Sequence, residues 1–165
     1  MGAANIPWFE VSAIAGWCLA TLLALRFLTY RIKRRAMELE TAANALSVHY
    51  AALDAVVDDP ALPTDALRFL VRLNHVISDH EACVEVTDHM ADLAAGNGAG
   101  DRPKWAAEVD QLARTRPELV EAYRDATMAG MVALFNRWPG TSWKMQLVWA
   151  SLDRKRQDAL ADRIV

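Results

Sequence analysis

The residues whose types and spacing could do chemistry lie close together in the middle of the chain. Glu81, Glu85, Asp88, His89 and Asp92 recur every three or four positions, so a helical backbone would gather them on one face. Such a face could bind a divalent cation. A carboxylate-bridged metal in a helical bundle, however, draws Glu-x-x-His units from facing helices; here Glu85 and His89 are four apart and no second ligand-bearing segment is evident. The face is expected to be solvated or to dock a partner, with no metal.

His80 falls within an apolar stripe, between Val76 and Cys83, and is expected to be a hydrogen-bonded core histidine. With Glu81 it forms the His-Glu pair found at the phosphoacceptor of sensor kinases, but the Arg and Pro that usually follow are absent, and the chain contains no nucleotide-binding segment. Gly96, Gly98 and Gly100 lack the preceding strand and following helix of a dinucleotide fingerprint and read as a linker. No Gly-x-Ser-x-Gly elbow occurs. Cys18 and Cys83 are too few for a disulfide framework or a zinc site. The sequence therefore predicts a non-enzymatic protein without a cofactor.

The elements that would position these residues begin with an apolar run. Residues 11–25 carry no charge, and Phe27, Leu28 and Tyr30 extend the run past Arg26. Crossing a ~30 Å hydrocarbon layer takes about 20 helical residues, which Trp8 to Tyr30 supplies. Trp8 and Phe9 at one end, with Phe27 and Tyr30 at the other, suit the two interfaces. No basic residue precedes the run, which argues against a cleaved signal peptide. Residues 1–35 are expected to form a membrane anchor whose tail, Arg26, Arg31, Lys33, Arg34 and Arg35, is entirely basic. By the positive-inside rule this patch places the N-terminus outside and the remainder in the cytoplasm, at a bacterial inner membrane. Ser12, Gly16, Ala20 and Ala24, four apart, offer a small-residue face for another membrane helix.

Residues 36–165 read as a cytoplasmic all-α domain, a bundle of about four to five helices. With no Gly or Pro between Gly16 and Pro60, the first helix is expected to run on to about Val57. Its stripe Ile32, Ala36, Leu39, Ala43, Leu46, Tyr50, Leu53 and Val57 suits either a bundle face or a coiled-coil seam; the bundle is the reading preferred. A second helix is predicted from Thr64 to about Ala95, with Thr64 as its cap, followed by a flexible loop over Gly96–Pro103. Further helices are expected over Lys104–Ala113, from a Thr115–Glu118 capping box to Trp138, and from Thr141 or Ser142 onward.

Net charge is −3, unevenly distributed: residues 36–101 hold twelve acidic and two basic side chains, and residues 102–165 eleven basic and eight acidic. No broad basic face exists, so nucleic acid is not an expected partner. Membrane lipid and other membrane-protein subunits are, with a homodimer as the alternative. Trp138, Trp143 and Trp149, around Pro139–Gly140, join Glu81, Glu85, Asp88 and Asp92 as candidate partner-facing residues, because tryptophan is enriched at binding hot spots.

Overall fold

The computed structural model describes residues 8–94 and 104–151. Every regular element among them is an α-helix: α1 (Trp8–Val56), α2 (Thr64–Ser78), α3 (His80–Ala94), α4 (Lys104–Thr115), α5 (Pro117–Arg137) and α6 (Pro139–Ser151). The chain divides between Glu38 and Leu39 into two units. The expected loop over 96–103 and the charged segment 153–158 lie outside the described residues.

In the first unit, every residue from Val11 to Tyr30 is exposed. Large apolar side chains point outward on all sides, Trp17 at 76% exposure and Leu22 at 64% among them. Thr21 and Thr29 satisfy their hydroxyls within the helix, each donating to the carbonyl four residues back, Trp17 O and Leu25 O, at 2.8 Å.

The second unit is organised around α2 and α5, which pack together; α4 lies on α5 and α3 on α6. On α2, Ala66, Phe69, Leu70, Leu73, Val76 and Ile77 are buried, one amphipathic face at helical spacing. Leu119, Val120, Tyr123, Ala126, Gly130, Ala133 and Leu134 of α5 meet that core. Burying a side chain the size of Leu70 or Leu134 contributes about 1.5–3 kcal/mol. On α4, Val109 is buried, Leu112 is half-buried, and Trp105 stacks on Phe69 with ring centroids 6.3 Å apart.

Several boundaries differ from the sequence reading. The long second helix is two helices, because Asp79 adopts an extended backbone (φ −117°, ψ 123°). Its own N–H closes α2 on His75 O at 2.9 Å, while its Oδ1 accepts the Glu81 N–H at 2.8 Å, the geometry of a helix N-cap. At the start of α2 the cap is Pro63, without a side-chain hydrogen bond, and Thr64 is the first helical residue. The Thr115–Glu118 capping box does not form. Arg116 is the cap residue of α5, Pro117 fills the first turn, and Thr115 ends α4 with its hydroxyl on Leu112 O at 3.5 Å. α6 likewise starts at Pro139, not at Thr141 or Ser142; proline suits a first helical position, where its missing N–H has no helical partner.

The bundle stripe of α1 is also displaced. Ala42, His49 and Val56 are buried there, with Ala45, Leu46, Ala52 and Leu53 partly so, whereas Leu39, Ala43, Tyr50 and Val57 are exposed. The packed face is one residue out of step with the expected one.

Candidate functional site

The first unit offers two candidate surfaces. Ser12, Gly16, Ala20 and Ala24 are all exposed, and a Cβ added at Gly16 would meet nothing within 4 Å. In the basic patch, the Arg31 guanidinium sits over the Phe27 ring at 5.9 Å from its centroid. Arg34 Nε reaches Glu38 Oε1 at 3.0 Å and Arg35 reaches Glu38 Oε2 at 3.4 Å. Arg26 and Lys33 are exposed. Glu38 thus partly offsets the end of the patch that its sequence reading left wholly basic.

In the second unit, Glu81, Glu85, Asp88 and His89 are exposed on α3; the Asp92 side chain lies outside the described residues. Among the described residues, no three His, Cys, Asp or Glu side chains come close enough together to hold a metal ion.

His80 is not in the core. It is exposed at the start of α3, with Nε2 3.0 Å from Thr141 Oγ1 and its ring 4.9 Å from that of Trp138. The reason is the break at Asp79, which takes His80 out of phase with the α2 stripe. Trp138 is half-buried, donates from Nε1 to Ile77 O at 3.1 Å and lies under the Arg137 guanidinium at 5.4 Å. It therefore satisfies a carbonyl in the last turn of α2 that the helix itself leaves open, and joins the α2–α3 break to the α5–α6 corner. Trp143 is 51% exposed, and the Trp149 side chain lies outside the described residues. Of the two tryptophans of this group whose side chains are described, Trp138 is tied into the bundle and Trp143 is exposed.

The histidine that the core does hold is His49, fully buried. Its Nδ1 lies 2.7 Å from Ala126 O; a carbonyl only accepts, so Nδ1 carries the proton. Gly130, one turn along α5, makes the approach possible, because a Cβ there would stand 3.0 Å from His49 Nδ1 and 2.7 Å from Leu73 Cδ2. The pairing joins residues 77 apart in sequence, and no local motif signals it.

A second unforeseen group is Arg116, which bridges Asp59 Oδ2 at 2.8 Å and the Glu118 carboxylate. Asp59 also accepts the Ala61 N–H at 2.9 Å. That N–H first, and Arg116 with it, holds the Asp59 carboxyl below its ordinary range; Arg116 does the same for Glu118. In return, the two carboxylates raise the guanidinium above its usual value. The cluster pins the α1–α2 turn to the α4–α5 junction. Cys83 is buried, and burial pushes its thiol up from the ordinary value, which suits an inert core residue. A shallow depression beside the same turn, lined by Pro60, Leu62, Pro63, Glu108 and Gln111, holds no convergent reactive groups.

These features define an all-α protein with one helix, among the described residues, long and apolar enough to cross a membrane. Compared with protein-family models, curated proteins and solved structures, the chain matches none.

Proposed function

We propose that this chain is a non-enzymatic, single-pass membrane protein that serves as an accessory or assembly subunit of a larger membrane complex. In this reading residues 8–30 cross a bacterial inner membrane, the N-terminus lies outside, and the helical domain works in the cytoplasm. The observation that carries it is the exposure of every residue from Val11 to Tyr30. Water would leave that apolar surface unburied at about 25 cal/mol per Å², whereas hydrocarbon is its natural solvent. The basic patch after the run supports the orientation, and the open small-residue face supports a neighbouring helix. A second reading, a self-associating membrane scaffold or signalling adaptor, is favoured by the exposed part of the α1 stripe.

Membrane fractionation followed by mild-detergent purification and mass spectrometry tests the proposal. The expected result is a chain that pellets with membranes and brings stoichiometric membrane-protein partners. Recovery from the soluble fraction without detergent overturns the membrane placement, and purification from membranes without any partner overturns the subunit role.

A further inference from the structure

We propose that His49 makes the seat of α1 in the bundle sensitive to protons: in mild acid the ring gains its second proton by leaving the core, and residues 39–56 of α1 come away with it. This goes beyond the membrane-subunit reading and does not depend on it.

His49 is fully buried. Its Nδ1–H is committed to Ala126 O at 2.7 Å, so the neutral ring presents Nε2 as a bare acceptor. Among the described residues Nε2 has no hydrogen-bond partner. A proton added there would create a buried cation whose new N–H meets no acceptor. Lost hydration and the unmet donor both oppose it, whereas the neutral ring leaves only one lone pair unused.

Among the described residues, no carboxylate pairs with the ring to offset such a charge. On α1, Tyr50 meets it edge-on with centroids 5.4 Å apart, and the Tyr50 hydroxyl donates to Asn74 Oδ1 on α2. The charged residues of α1 nearest in sequence are Glu40 and Asp54. α5 faces the ring with Ala126 and Gly130, and Leu73 of α2 reaches the same spot beside Gly130. The charged and titratable side chains flanking those positions are Arg72 and His75 on α2 and Arg124 and Asp125 on α5. All of them are exposed, while the imidazole is sealed inside.

α1 is also the element best able to leave. The closest helix–helix packings of the bundle join α2, α3, α4, α5 and α6 to one another, and α1 has none of comparable extent. Its buried side chains are Ala42, His49 and Val56, seven apart, with His49 at the centre. The seated ring is neutral, and a solvated imidazole takes up a proton below about pH 6.5, so proton uptake accompanies release. The seat is therefore at full strength above that pH. Below it, the equilibrium between seated and released α1 shifts towards release by up to about tenfold for each pH unit.

The test uses the full-length chain in mild detergent, in a Cys18→Ser background that carries Val56→Cys, a small change of volume at a buried position. The alkylation rate of that thiol, divided by that of Val57→Cys at an exposed position and the same pH, reads how often α1 leaves the bundle. The ratio is expected to be level from about pH 8 to about pH 7 and to rise by up to about tenfold per unit below about pH 6.5, above the carboxylate range. Cys83, buried on α3, is expected to lag, because release of α1 is not unfolding of the bundle. Adding His49→Asn is expected to flatten the profile, and adding His80→Asn, at an exposed histidine, to leave it unchanged. Nitrogen-15 spectra of the histidines in the unsubstituted chain, assigned by replacing the exposed His75, His80 and His89, read the same property without touching the core. They are expected to show a His49 ring that stays neutral, with its proton on Nδ1, for as long as the folded signal persists. A level ratio in the parent chain, a rise that survives His49→Asn, labelling of Cys83 in step with position 56, or a His49 ring that takes its second proton in the folded chain each overturns the proposal. Should the substituted chains fail to fold, the spectra of the unsubstituted chain decide alone.

Discussion

Residues 11–30 and the α2 helix are both helical and both rich in large apolar side chains, yet they solve opposite problems. In α2 the apolar residues lie on one face, and Phe69, Leu70, Leu73, Val76 and Ile77 are buried while Arg68 and Arg72 stay outside. In residues 11–30 they surround the helix, and none of them is buried. The amount of apolar surface does not distinguish the two segments; its angular distribution does. A one-sided stripe can be satisfied by neighbouring helices of the same chain, whereas an all-round one needs a solvent that is itself apolar.

That contrast can be broken most sharply by paired truncations. Leu70→Ala is expected to cost about 2–5 kcal/mol of stability, seen as a lower midpoint in denaturant or thermal unfolding of the detergent-solubilised chain. Leu22→Ala is expected to stay within about 0.5 kcal/mol; comparable losses at the two sites would erase the distinction. A charge probes the other side of it. Leu22→Arg is expected to make membrane insertion less favourable by about 2.5–3.5 kcal/mol, read as a fall in the membrane-integrated fraction. Val71→Arg, on the exposed side of α2, is expected to leave that fraction unchanged.

Within the bundle, Gly130→Ala sharpens the account of how closely α1 approaches α5. The added Cβ would press on Leu73 and His49, an overpacking cost of about 1–3 kcal/mol, against about 1 kcal/mol of helix propensity gained. The net is a loss of up to about 2 kcal/mol. An unfolding midpoint above that of the parent chain would show that the contact is not tight.

The smallest effect concerns Asp59. Its carboxyl is held below the ordinary value in the folded chain, so its contribution is present above the unfolded value of about 3.9 and fades as pH falls through the lowered folded value. Asp59→Asn is therefore expected to be slightly less stable than the parent chain at neutral pH and to lose less stability on acidification. Parallel pH profiles for the two chains, from thermal unfolding between about pH 6 and pH 3, would overturn this assignment.

The all-helical class, the apolar N-terminal segment and the existence of helices over α4 and α5 could be read from residue spacing. The break at Asp79 could not, because no Gly or Pro marks it and the stripe on either side stays apolar. Only the folded surroundings, with Trp138 on the Ile77 carbonyl and His80 beside Thr141, show what the interruption accomplishes. The candidate surfaces divide in the same way. Exposure along Ser12–Ala24 accords with its uniform apolarity, whereas separating Trp138 from Trp143 required the neighbours of each.

The sequence by itself determined the helical class and which segment is apolar all round, since both properties belong to a helix taken alone. Tertiary structure decided which of two adjacent faces of α1 enters the core. Residues 42, 49 and 56 and residues 43, 50 and 57 repeat with the same period, and periodicity cannot choose between them. The choice rests on a close approach that the chain alone does not announce: a glycine at 130 leaves room beside the Ala126 carbonyl, and His49 is the side chain that fills it.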